Sequence, residues 1–315
     1  MIKLTEKQKG RLRILEPKLN KAIDSKQFEE AKKIVLDLQY LLRPSGHFVR
    51  LIQSKNKLYE LAIEQSKYDV ALQGLLANQK VLNNNTRIYL ETISLIAICY
   101  LRMRDIINAK IYIKEVLEND TVIKTQRTRS IFHSEIINRF NEEVALVTLI
   151  NSGTDDINEE EIEKEVIRII QTLSDDEIFA SMGEKTPNST KDLIYLIHDY
   201  SLKQLPYKEK LSLPSPEQKI KDKEVGITIF ESVKRVIYNS LCSQESEIYK
   251  IWYTNGMSVV LGKKYIISTV VSILMNMGIG IKMLIASIIA LITKFGIEVY
   301  CEKYKPIYVS EIRNK

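Results

Sequence analysis

Glycine and proline are scarce in this chain, at 11 and 7 of 315 residues, whereas a β-sandwich or barrel needs a turn about every 8–12 residues. Helices are therefore expected throughout. Cysteine is scarcer still. Cys99, Cys242 and Cys301 stand far apart in apolar surroundings, unlike a disulfide framework or a metal site. That pattern predicts reduced thiols, no metal or other cofactor, and a cytoplasmic location. An uninterrupted apolar run of about 20 residues, the length a bilayer-spanning helix requires, is missing as well. Met1-Ile2-Lys3-Leu4-Thr5-Glu6 also lacks the apolar core of a secretion signal. No glycine-rich phosphate loop, His-Glu-x-x-His, Gly-x-Ser-x-Gly or Cys-x-x-Cys occurs. His133 and His198 each have a carboxylate one or two residues away, but such neighbours on a helix do not face one another. No catalytic residue is assigned, and a non-enzymatic role is expected.

What is present is ordinary globular material: 45% apolar and 27% charged residues, enough for a sizeable core. The net charge of +6 conceals three regions, because residues 1–150 carry +8, residues 151–200 carry −9 and residues 201–315 carry +7. The acidic run Asp155-Asp156-Ile157-Asn158-Glu159-Glu160-Glu161 precedes Ile162, Val166, Ile169 and Ile170. This order places carboxylates at a helix start, where the dipole favours them. The basic clusters Lys7–Arg13 and Arg127–Arg129 lack interleaved aromatics and read as solvated helix faces, so a nucleic-acid partner is not expected.

Three segments of the N-terminal half are mutually similar: Lys21–Val35, Leu61–Leu72 and Ile98–Lys110. In each, a helix end and a short polar turn lead to a bulky residue (Phe28, Tyr68, Ile106) and, three positions on, an alanine (Ala31, Ala71, Ala109) that opens a second helix. The alanines are 40 and 38 residues apart. Over residues 12–120 this resembles the tetratricopeptide repeat, although the period exceeds that family's 34 residues. Tyr59 also departs from the pattern, standing where the first helix of the second repeat should carry a small residue. The resemblance implies antiparallel helix pairs stacked into a curved array, with a groove lined by the first helix of each pair. Position by position, that face carries Arg13, Glu16 and Asn20, then Asn56 and Glu60, then Glu91 and Ser94. These are the expected contacts to a protein or peptide partner.

Further along, Ser174 ahead of Asp175-Asp176-Glu177 reads as a helix N-cap, and another helix opens around Asn188-Ser189-Thr190. The stretch 205–216 holds three of the seven prolines and reads as a linker. Beyond it, no Asp or Glu occurs from 248 to 297. Tyr265–Ile281 and Met283–Thr293 form two apolar runs around an Asn276–Gly280 turn, a hydrophobic helical hairpin. Counted at 100° per residue, Ser287, Lys294 and Glu298 fall on one narrow polar stripe.

The fold expected is all-α: a tetratricopeptide-like array over 1–150, an acidic helical connector with a Pro-containing linker over 151–222, and a hydrophobic helical domain over 223–315. Such a chain suits an adaptor. Its repeat groove would bind a protein or peptide, and its C-terminal domain would dock onto another subunit or a second copy. In the alternative, residues 263–300 insert into or bind an anionic membrane under control of the repeats, with Lys263, Lys264, Lys282 and Lys294 facing lipid headgroups.

Overall fold

Every regular element among the described residues is helical, the outcome that little glycine and proline favours. The computed structural model describes residues 3–150, 152–153, 155–203, 222–243, 246, 249–250 and 264–314. The Pro-rich run 205–216 and Lys263 lie outside them. The chain divides into two compact units, one made of residues 1–136 and 307–315, the other of 137–306. The expected boundaries at 150 and 222 differ from this division. The acidic connector belongs to the same unit as the hydrophobic helices, and residues 307–315 belong with the N-terminal helices.

The first unit opens with three helical hairpins. They are α1 (Glu6–Asp24) with α2 (Phe28–Leu42), α3 (Phe48–Glu64) with α4 (Tyr68–Val81), and α5 (Arg87–Arg102) with α6 (Ile106–Glu118). Each successive pair packs on the next, and α1, α3 and α5 also touch in sequence to form one layer. The hairpins share one turn. Lys26, Ser66 and Arg104 adopt left-handed backbone, with φ of 54°, 58° and 62°. The residue after each donates its N–H five positions back, Gln27 to Ala22, Lys67 to Ala62 and Asp105 to Tyr100, at 2.8–2.9 Å. This is the Schellman way of satisfying the last carbonyls of a helix. Ala31, Ala71 and Ala109 are fully buried, which allows close helix approach. The turns also tie one hairpin to the next, since the Gln65 side-chain amide donates to the Lys26 carbonyl at 2.6 Å and the Lys67 ammonium sits 3.9 Å from the centre of the Phe28 ring.

Tyr59 finds its small neighbour on the opposite helix. A Cβ added to Gly74 of α4 would overlap the Tyr59 ring. The bulk absent from one helix of the pair is thus supplied by the other.

In the second unit, α8 (Glu159–Thr172), α9 (Asp175–Lys185) and α10 (Asn188–Lys203) precede α11 (Asp222–Cys242), α12 (Lys264–Asn276), α13 (Lys282–Phe295) and α14 (Ile297–Lys303). The unit boundary falls within α7 (Gln126–Leu149). Asn158 caps α8 by accepting from the Glu160 N–H. Ser174 caps α9 in a reciprocal box with Glu177. α13 is the centre of this unit and packs on α8, α9, α12 and α14. Nine consecutive residues, Leu284–Ile292, are buried, so the polar stripe predicted on this helix is shorter than expected and Ser287 lies inside the core. Phe179, Phe230, Phe295 and Tyr304 form an aromatic cluster, with the ring of Phe230 edge-on to the other three at 5.2–6.1 Å.

The cysteines correct a second expectation. Cys242 and Cys301 form a disulfide, their Cα atoms 5.5 Å apart, within the span a bridge requires. They stand 59 positions apart, so no local spacing signals the pairing. The ground for expecting a reducing compartment falls with it. Cys99 remains a free, buried thiol, and burial pushes its pKa up to about 12.

Candidate functional site

The layer formed by α1, α3 and α5 carries most of the residues expected at a groove. Arg50 and Glu16 form a two-pronged ion pair between α3 and α1, at 2.6 and 2.7 Å. The hydrogen bonds to Glu16 hold the Arg50 guanidinium above its ordinary value. Lys57 donates to Asn20 at 2.7 Å. Behind them, the Asn56 amide donates to the Thr92 hydroxyl at 2.9 Å, and Asn78 donates to the Asn56 carbonyl at 3.1 Å. This buried polar chain links α3, α4 and α5 and fixes the floor of the groove.

Across this layer lies a segment that the sequence pattern assigns to the C-terminal domain. Residues Val309–Asn314 form a short 3-10 helix packed on α3 and α5. The Val309 N–H donates to a Glu60 carboxylate oxygen at 2.8 Å. The Arg313 guanidinium makes a two-pronged contact with Glu91, its Nε 2.6 Å from Oε1 and its Nη2 on Oε2. Arg87 approaches Glu91 from its own helix at 3.0 Å. Glu60 and Glu91 are 1% and 3% exposed, so both carboxyl groups are held away from water and depend on these partners. Val309 and Ile312 are buried as apolar anchors. The phenol of Tyr308 is raised by burial and then by the carboxylates of Glu64, Glu60, Glu311 and Asp24 around it.

Beside the segment remains an open cavity of about 370 Å³, bordered by Glu16, Asn20, Arg50, Asn56, Lys57 and Glu91 on one side and Val309, Ser310 and Arg313 on the other. A second, of about 200 Å³, lies between Asp24, Lys57 and Glu60 and the residues Tyr308, Ser310 and Glu311.

Five of the seven expected groove residues, Glu16, Asn20, Asn56, Glu60 and Glu91, therefore border the cavities or hold the segment. The other two do not. Arg13 is exposed and outside the cavity linings. Ser94 is buried, and its hydroxyl donates back to the Leu90 carbonyl at 2.7 Å. The residues that sequence reasoning missed are Tyr308, Val309, Ile312 and Arg313, whose spacing carries no motif.

Two of the four lysines expected at a lipid surface, Lys282 and Lys294, have protein partners within the second unit. The Lys282 backbone N–H donates to Asp155 at 2.8 Å and its ammonium pairs with Glu161. Lys294 pairs with Asp175 at 2.6 Å and donates to the Leu173 carbonyl at 3.1 Å. Lys264 opens α12, and its side chain lies outside the described residues, as does Lys263 entirely. Among the described residues no single helix is long and apolar enough to cross a membrane, and α13 with α14 reach that length only across a 97° bend.

A second charged cluster joins α7 to α11. Glu142 pairs with Lys234 at 3.0 Å and Arg235 at 3.1 Å, and Arg139 with Glu143 at 2.7 Å. Burial pushes the Glu142 carboxyl up to about 7, against the pull of Lys234 and Arg139.

The fold and the groove together define an all-helical protein whose stacked hairpins are compatible with helical repeats. No family model, curated protein or solved structure matches the sequence.

Proposed function

We propose that this chain is a non-enzymatic protein–protein interaction adaptor whose first unit is a tetratricopeptide-like array binding a short peptide in the groove of α1, α3 and α5. One observation carries the reading: the buried carboxylates of Glu60 and Glu91 engage a backbone N–H and an arginine of a short segment laid across α3 and α5. Backbone and side-chain contacts of this kind are how a groove reads a peptide. A groove lined mainly by polar groups, with Leu19 and Leu95 among them, suits a specific, reversible interface.

Random peptides displayed on phage, panned on the full chain and on its Arg313→Ala variant, test this. The expected result is enrichment of peptides that bind at least tenfold more weakly once Glu60→Gln and Glu91→Gln are introduced together. No enrichment on either protein, or enriched peptides indifferent to the two substitutions, overturns the reading.

A further inference from the structure

We infer that residues 307–314 are a built-in ligand of the groove, and that the external partner is a short arginine-bearing peptide segment that competes with them. This deepens the proposed function and rests on the groove being a peptide site.

The chemistry of the partner follows from what the segment offers. Val309 supplies a backbone N–H to Glu60, and Arg313, four residues on, supplies the planar fork that matches the Glu91 carboxylate. Val309 and Ile312 supply the apolar anchors. A lysine at the arginine position would satisfy only part of that geometry, because its ammonium cannot present two parallel donors. An acidic peptide would meet Glu60, Glu64, Asp24 and Glu91 with like charge.

The packing argues that the segment is displaceable. The segment does not fill the groove, since open cavities of about 370 and 200 Å³ flank residues 308–313. A longer peptide that reproduces the Val309 and Arg313 contacts and also fills this space gains contacts the built-in segment lacks. Its walls offer hydrogen-bonding groups from Asn20, Arg50 and Lys57. The intramolecular segment has the advantage of high effective concentration, which sets a threshold a partner must exceed.

The test is a fluorescence-anisotropy titration with a labelled peptide of residues 305–315 as the probe. It is titrated with the full chain, with a chain ending at Pro306 and with the full-length Arg313→Ala variant. The expected result is binding to the shortened chain at least tenfold tighter than to the full chain, and tighter binding to Arg313→Ala than to wild type. A probe carrying alanine in place of Arg313 should lose at least tenfold, and one carrying lysine there should recover only part of that loss. Should the shortened chain fail to fold by circular dichroism, the Arg313→Ala comparison decides alone. A probe that binds neither a folded shortened chain nor Arg313→Ala overturns the inference, and so does equal binding by the arginine and alanine probes. If phage peptides still bind through Glu60 and Glu91 while this probe does not compete with them, the inference fails and the peptide-binding reading stands.

Discussion

Gly74 is the residue on which the second hairpin depends. Its missing side chain makes room for the Tyr59 ring, and a glycine inside a helix otherwise costs about 1 kcal/mol relative to alanine. Gly74→Ala should therefore gain helix propensity and still lose stability, by about 1–3 kcal/mol, because an overfilled interface forces neighbours out of position. Urea denaturation followed by circular dichroism measures this, and a variant as stable as wild type would show that the ring moves aside freely. The three left-handed turn residues teach the complementary lesson. Lys26, Ser66 and Arg104 occupy a backbone conformation that glycine enters more easily. No glycine marks the turns, so the sequence shows them only through the polar stretch before each bulky residue. Alanine spacing made the hairpins legible; the Tyr59–Gly74 exchange of bulk was not, because it pairs residues on two helices.

Among the elements, the second unit rests on two contrasting helix contacts. α9 and α11 meet almost backbone to backbone, since a Cβ on Gly183 would overlap the Asp222 carbonyl and one on Gly226 the Phe179 carbonyl. α7 and α11 instead meet through buried charge. Glu142 has its carboxyl raised to about 7, against an ordinary value of about 4.5. Between those two values the folded chain keeps a proton that the unfolded chain has released. The resulting stabilisation is fully present below about pH 4.5 and is lost as pH rises through about 7. The melting temperature should accordingly fall between pH 5 and pH 8, with Glu142 contributing about 2–3 kcal/mol at most. Glu142→Gln, which cannot ionise, should flatten that slope. An unchanged slope in the variant would remove Glu142 as its source. The helices themselves were legible from periodicity and caps, with Ser174 and the acidic start of α8 found where they were expected. The partners of the acidic connector were not, because opposite charges on Lys282 and Glu161 carry no sign of meeting until the helices pack.

At the scale of the whole molecule, the path of the chain matters most. It leaves the first unit at residue 136 and returns to it at 307, a connection that no local pattern announces. Lys282 and Lys294 are paired with acidic groups and Leu284–Ile292 is buried, so the adaptor reading expects this helix to stay covered in the presence of lipid. Co-sedimentation with vesicles containing phosphatidylglycerol should leave the full chain in the supernatant. Pelleting with the vesicles would favour insertion by residues 263–300 instead. By itself the sequence determined the helical class, the three hairpins at their 40- and 38-residue spacing, and most of the polar groove residues. These follow from short-range rules: turn chemistry, helical period, and the need for small residues where helices touch. Tertiary structure alone decided that Cys242 meets Cys301 and that Val309 and Arg313 meet Glu60 and Glu91. Those contacts join residues 59, 249 and 222 positions apart. Contacts that distant are set by how the helices pack, and helical periodicity does not encode them.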